Sequence, residues 1–206
     1  WPGPSRYWWI SGRGPPDDMD KLMVQPEIGE TLTTDRFLGG ALSVMQPRDG
    51  FRAGSDAVLL AAAVEAKPGE TLLDVGAGVG TAGLCALHRL GDCALWGIEV
   101  QSELAALAVQ NAAENGFSGQ MRIIEADIGA RKSFAEQAGP GGKSFLEAGF
   151  DHVFTNPPFY GKGRGRDAKT AGRTLARIEG SVPLQDWLQF CVARTKPKGT
   201  VTVIHR

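Results

Sequence analysis

The stretch from Thr71 to Glu99 constrains this 206-residue chain more than any other. Thr71-Leu72-Leu73-Asp74-Val75 reads as a buried strand, an apolar run that stops at Gly76-Ala77-Gly78-Val79-Gly80. A helix is expected from about Thr81 to Leu90, then a second strand from Ala94 to Ile98 ending in Glu99, then a helix from Ser102 to Asn115. Strand, glycine-rich turn, helix, strand and terminal acid form the architecture of a mononucleotide-binding half. Such units build a doubly wound α/β sheet whose strands run mostly parallel. The glycines let the backbone come close to a ligand, and Glu99 can accept hydrogen bonds from both hydroxyls of a ribose.

Dehydrogenases share this grammar, so the ligand has to be read from details. The spacing is G-x-G-x-G, and Thr81 stands where the third glycine of G-x-G-x-x-G would fall. Asp74 puts a carboxylate beside the turn, where it would repel a pyrophosphate but could orient an ammonium group or a bound water. Both features favour S-adenosylmethionine over a nicotinamide dinucleotide. A third strand, Met121 to Glu125, leads into Ala126-Asp127-Ile128. Asp127 can accept the N6 amine of an adenine and Ile128 can lie against the ring; a solvated acid at a strand end is the competing reading.

A second motif meets the first. Phe150 to Thr155 reads as a fourth strand, halted by Asn156-Pro157-Pro158-Phe159-Tyr160. Two successive prolines lack N–H donors and fix φ, which ends the strand in a rigid corner. The corner offers the Asn156 side-chain oxygen and the Pro157 carbonyl as acceptors for a planar –NH2 group, with Phe159 or Tyr160 to stack on the ring. A plain Asn-Pro turn is the alternative. In a doubly wound sheet the first and fourth strands are neighbours, and ligands sit outside their C-terminal ends. That topology brings Gly76 and Asn156 face to face.

Charge is unevenly distributed. Residues 1–160 hold 12 Lys/Arg and 20 Asp/Glu, whereas residues 161–206 hold 10 and 3. The basic excess therefore begins just after the Asn156 corner, where Lys162, Arg164, Arg166, Lys169, Arg173 and Arg177 face only Asp167 and Glu179 as far as Gly180. This stretch is expected to be a mobile loop that meets RNA phosphates, with a solvated charged loop as the alternative. Cys85, Cys93 and Cys191 lack metal or redox spacing, and His88, His152 and His205 are scattered. A soluble, cytoplasmic protein without a bound metal or a membrane segment is expected.

Upstream, Asp35 to Pro47 is compatible with a small hairpin, and Ala57 to Ala63 with a helix capped by Ser55 or Asp56 and closed by Lys67-Pro68-Gly69. Residues 1–25 mix Trp1, Trp8 and Trp9 with prolines and are expected to lie outside the fold, leaving residues 26–206 as one domain. Gly129 to Gly149 carries two short helical patches. Pro183 to Thr195 reads as a helix with Trp187, Leu188, Phe190 and Cys191 on its apolar side, and Gly199 to Ile204 as a fifth strand.

Taken together, Asp74-x-Gly76-x-Gly78-x-Gly80, Glu99, Asp127 and Asn156-Pro157-Pro158-Phe159 resemble a class I methyltransferase acting on exocyclic or amide nitrogens. Asp35-Arg36-Phe37-Leu38-Gly39-Gly40 and Phe51 to Leu60 resemble the bacterial tRNA1(Val) (adenine-37-N6)-methyltransferase family. The resemblance implies S-adenosylmethionine as cofactor, with Gly54 and Asp56 near its methionine end. It implies Asn156, Pro157 and Phe159 at the reacting amine, and Pro158, Tyr160 and the basic residues against RNA, most simply a tRNA anticodon loop. Against that family the chain is expected to lack the last two strands of the sheet. Methylation of another nitrogen (guanine N2 in rRNA, a protein glutamine) and a catalytically silent binding fragment are the alternatives.

Overall fold

The computed structural model describes residues 32–50, 52–158 and 182–205. Five strands form one parallel sheet: β3 (Thr71–Val75), β4 (Ala94–Glu99), β5 (Met121–Glu125), β6 (Phe150–Thr155) and β7 (Thr195–Val203). They lie side by side in the order β5-β4-β3-β6-β7. The order reverses at β3, so β3 and β6 are neighbours at the switch point, as a doubly wound sheet requires. A separate antiparallel hairpin, β1 (Leu32–Phe37) and β2 (Leu42–Pro47), precedes the sheet.

Helices α1 (Ser55–Ala63), α2 (Thr81–Leu90), α3 (Ser102–Glu114) and α4 (Leu184–Arg194) are the α-helices among the described residues. Alternation along each strand feeds two cores. Leu72 and Leu95 pack with Leu60, Leu84, Leu87 and Ala112 of the first three helices and with Leu42 and Val44 of the hairpin. Leu73, Val75, Trp96 and Ile98 point the other way, toward Phe134, Phe145, Cys191 and the flanking Trp187 and Phe190. Phe134 and Phe145 stack at 5.0 Å, which fills the space under the segment between β5 and β6. That segment holds two short 3-10 turns, Arg131–Phe134 and Pro140–Gly142, matching the two helical patches expected there.

Three expectations need correction. Neither Ser55 nor Asp56 caps α1: Gly54 is the N-cap residue, no side chain caps it, and Asp56 sits inside the first turn. An acid there still favours the positive end of the helix. α1 also stops at Ala63, before Lys67, because Val64 is already extended at φ −80° and ψ 122°. The last strand begins at Thr195 instead of Gly199. Phe150 pairs with Thr195 and His152 with Thr200, so two steps on β6 span five on β7. The extra residues fall in Lys196-Pro197-Lys198-Gly199, a bulge that an edge strand tolerates around proline.

At the N-terminal end of the sheet, polar groups are mutually satisfied. Asp151 accepts from the Thr71 backbone and hydroxyl and from Lys196 Nζ at 2.8 Å. His152 is held between Thr200 and Glu70, which gives it a structural place. Cys85, Cys93 and Cys191 are free and buried. Among the described residues no helix is long and apolar enough to cross a membrane, and no group of three metal-ligating side chains occurs.

Candidate active site

Register decides what meets at the C-terminal end of the sheet. Val75 pairs with Thr155, so Gly76 and Asn156 occupy the next positions on adjacent strands. Both line one cavity of about 400 Å³, within the size range of small-molecule sites. Its walls are the segment Arg52-Ala53-Gly54-Ser55-Asp56 with Ala57 and Leu60 of α1, the loop Gly76-Ala77-Gly78-Val79 with Asp74, Thr81 and Ala82, and Leu104 of α3.

The loop's shape depends on glycine. Gly76 has φ 79°, and a Cβ there would come within 2.9 Å of the Trp187 ring. Gly78 has φ 57° with open space where a Cβ would stand, so its backbone is the part of the loop free to be approached. The turn is pinned to the neighbouring strand, since Gly76 and Ala77 both donate to the Ile98 carbonyl.

Burial leaves this cavity chemically incomplete. Among the described residues, the buried side-chain polar atoms without a hydrogen-bond partner are Asp74 Oδ2, Thr81 Oγ1 and Asn156 Oδ1. All three belong to residues that line the cavity. Buried polar groups are nearly always paired, because an unpaired one costs about 1–3 kcal/mol. Three in one cavity leave acceptor positions that a ligand carrying donors could fill. Burial pushes the Asp74 carboxyl up to about 7; the Gly83 backbone N–H opposes this and the nearby Glu99 charge adds to it. A cationic group beside Asp74 would reverse that shift.

The remaining site candidates are distributed unequally. Gly54, Asp56, Asp74, Gly76, Gly78 and Asn156 line the cavity. Gly80, with φ 86°, is the N-cap residue of α2 and packs against Met121 and Ala108. Glu99 does not line the cavity. Its carboxylate accepts from the Gly78, Val100 and Gln101 backbone N–H groups, so it shapes the glycine loop directly. A carboxylate has about four acceptor positions, which leaves room for one further donor. Asp127 accepts from the Gly129 N–H, Ile128 packs on the second core, and both stand at the end of β5, outside the cavity lining. Pro157 is buried and Pro158 half-buried beside Asn156. Phe159, Tyr160, Lys162, Arg164, Arg166, Lys169, Arg173 and Arg177 lie outside the described residues.

Sequence reasoning had not assigned Arg52, Leu104 or the Thr81 hydroxyl to a site. A Thr at the first position of a helix after a glycine turn was the available signal for the last of these. Leu104 carries no signal beyond helical periodicity.

The comparisons with known proteins agree with this geometry. The model of the methyltransferase small domain family matches residues 48–177, which is more than half of the chain. A tRNA1(Val) (adenine(37)-N6)-methyltransferase of Aeromonas hydrophila is 26% identical over 158 residues, covering 76% of this chain and 60% of the relative. The chain thus spans about three-fifths of that relative's length. A solved predicted O-methyltransferase from Agrobacterium tumefaciens superposes with TM-score 0.51 at 27% identity, over 72% of this chain and 60% of that one. A SAM-dependent methyltransferase from the same organism superposes at 0.53 over 85% of this chain and 53% of that one; at 16% identity it speaks for the fold alone. With the glycine loop, the Asn-Pro-Pro corner and the strand order all in place, the family match has its physical basis: the chain belongs to the methyltransferase small domain family, a family of S-adenosylmethionine-dependent methyltransferases.

Proposed function

We propose that this protein transfers the methyl group of S-adenosylmethionine to the exocyclic N6 amine of an adenine in RNA, most specifically in a tRNA anticodon loop. The observation that carries the reading is the convergence of Asp74 Oδ2, Thr81 Oγ1 and Asn156 Oδ1, buried and unpartnered, on one cavity between two adjacent strand ends. When bound, the cofactor supplies an electrophilic methyl on a sulfonium. Everything else falls to the chain. Asp74 would hold the cofactor's ammonium, with Gly54 and Asp56 on the facing wall. Open backbone at Gly78 would let the loop approach its body. Glu99 orders that loop and would take a ribose hydroxyl, with Asp127 and Ile128 at the adenine.

The acceptor amine is a poor nucleophile because its lone pair is delocalised into the ring. Asn156 Oδ1 and the Pro157 carbonyl would each accept one N–H, drawing the nitrogen toward a pyramidal form and aiming its lone pair at the methyl. Positive charge grows on that nitrogen as the N–C bond forms and the S–C bond breaks, so both hydrogen bonds strengthen in the transition state. The nitrogen then releases one proton to water. Extraction of the base is inexpensive in a hairpin loop, and Phe159 would replace the lost stacking, with Pro158 and Tyr160 beside it. The basic residues Lys162, Arg164, Arg166, Arg173 and Arg177 would bind phosphates. The names of the relatives support the adenine assignment, and the charge of residues 161–206 supports RNA over a peptide.

The test is incubation with methyl-labelled cofactor and separate tRNA, rRNA and release-factor pools, followed by digestion and identification of the labelled product. N6-methyladenosine from tRNA is the expected result. Label on guanosine from rRNA, or on a glutamine peptide, would move the substrate elsewhere. Cofactor binding without transfer to any pool would identify a silent binding domain.

A further inference from the structure

The hairpin precedes the region that the family model matches, and it does more than cover the core. Asn111 of α3 and Asn115, its C-cap residue, stand four positions apart and treat the edge of β2 away from β1 as a partner strand. Asn115 Oδ1 accepts from the Ser43 N–H at 2.9 Å and its Nδ2 donates to the Ser43 carbonyl at 2.7 Å. Asn111 does the same at Met45, at 2.8 and 2.9 Å. The match is geometric: four helical residues rise about 6 Å and two strand residues about 6.6 Å. Asn115 gives its second amide hydrogen to the Asn111 carbonyl at 2.7 Å, whereas Asn111 is fully buried and reaches further. Its second amide hydrogen goes to the carbonyl of Val79, inside the glycine loop, at 3.0 Å.

The next residue of β2 reaches the opposite wall. Gln46 is 1% exposed. Its Oε1 accepts from the Ala53 N–H at 2.9 Å, and its Nε2 donates to Asp35 at 2.6 Å and more weakly to the Ala53 carbonyl at 3.4 Å. Arg52 fastens the same wall to the hairpin through Thr33 and the Pro47 carbonyl, each at 2.7 Å, and through Asp35. Adjacent positions on one strand therefore hold the two walls of the cavity, one through Asn111 and one through Gln46.

We infer that Gln46 and Asn111 are positioning residues, which fix the separation of the Arg52–Asp56 wall from the glycine loop and thereby set affinity for the cofactor. The inference rests on the reading of this cavity as the S-adenosylmethionine site. Neither side chain lines the cavity, so each acts through backbone that does.

Asn115 supplies the control, because it clamps the same strand to the same helix without touching a wall. The experiment measures S-adenosylhomocysteine binding by titration calorimetry, with urea unfolding of each ligand-free protein, for wild type, Gln46→Leu, Asn111→Ala and Asn115→Ala. Gln46→Leu and Asn111→Ala are expected to weaken binding roughly tenfold, on the scale of a lost buried hydrogen bond. Asn115→Ala is expected to lower stability while leaving affinity within about twofold. Should Asn111→Ala fail to fold, Gln46→Leu decides the matter alone. Unchanged affinity in the wall-linked variants, or an equal loss in Asn115→Ala, would reduce the hairpin to a purely structural element. A wild-type protein that binds no S-adenosylhomocysteine would overturn the cofactor reading itself, and this inference with it.

Discussion

Trp187 donates its indole N–H to the Thr155 hydroxyl at 2.8 Å, and that hydroxyl donates in turn to the Val75 carbonyl at 2.7 Å. One side chain of α4 thereby ties together the ends of β3 and β6, the two strands from which the glycine loop and the Asn156 corner emerge. The same indole ring packs against Gly76. Trp187 thus fixes the spacing of the two strand ends, while the hairpin and α3 hold the Arg52–Asp56 wall and the glycine loop.

Thr155→Val keeps the shape but leaves the indole N–H and the Val75 carbonyl without their buried partner. The expected loss is about 1–3 kcal/mol of unfolding free energy in urea. Methyl transfer is expected to suffer more in kcat than in cofactor KM, because the change lies between the two strand ends. A variant as stable as wild type would show that the relay contributes nothing.

Gly76→Ala and Gly78→Ala should separate stability from binding. Both positions have left-handed φ, which costs a residue with a Cβ about 1–2 kcal/mol. At Gly76 the methyl would also stand 2.9 Å from Trp187, so the larger drop in melting temperature is expected there. At Gly78 the methyl enters open space, and the greater loss is expected in affinity for S-adenosylhomocysteine. Thermal melts and titrations of both variants make the comparison.

Asp74 makes stability depend on pH in an unusual direction. Burial holds its carboxyl protonated up to about 7 in the fold, against an ordinary value of 3.8 once unfolded. Between those values the folded state binds the extra proton, so this contribution is complete below about pH 4 and is lost as pH rises toward 7. Asp151 works in a separate window. Its burial would raise it, but Lys196 and the Thr71 donors outweigh that and hold it near 2, so its contribution is lost only as pH falls from about 4 toward 2. The unfolding free energy of the ligand-free protein is therefore expected to decline from pH 4 to 7, and Asp74→Asn to flatten that decline. Because a bound ammonium favours the ionised acid, cofactor affinity should rise over the same range. Calorimetry in buffers of different ionisation enthalpy should register proton release on binding at pH 6 in wild type and none in Asp74→Asn.

Asn156→Ala removes the acceptor assigned to the reacting amine. Turnover is expected to vanish while S-adenosylhomocysteine affinity stays within a few-fold. A retained kcat at saturating cofactor with much weaker S-adenosylhomocysteine binding would reassign this side chain to the cofactor.

Most of the sheet was legible in the sequence because its strands are short apolar runs bounded by glycine or proline. The β3–β6 adjacency followed from the switch-point rule. The start of β7 was less legible: Lys196-Pro197-Lys198-Gly199 reads as a turn, and only pairing with β6 makes it a bulge inside a strand. The helix start at Ser55 was misplaced because Ser and Asp are good caps by type, whereas the Gly54 backbone takes that position. Within the site, Asp74, Gly76 and Asn156 announced themselves by motif. Gln46, Asn111, Thr155 and Trp187 did not, since each acts through partners 7 to 80 residues away in the chain. Long-range side-chain to backbone bonds leave no local pattern to read.

The central claim is that the cavity between the Arg52–Asp56 wall and the glycine loop holds the methyl donor. Photo-crosslinking with radiolabelled S-adenosylmethionine, followed by peptide mapping, addresses it directly. The expected label falls on peptides containing residues 52–57 or 76–82 and is competed away by S-adenosylhomocysteine. Saturable label confined to residues 131–149, or label that S-adenosylhomocysteine does not displace, would contradict the account.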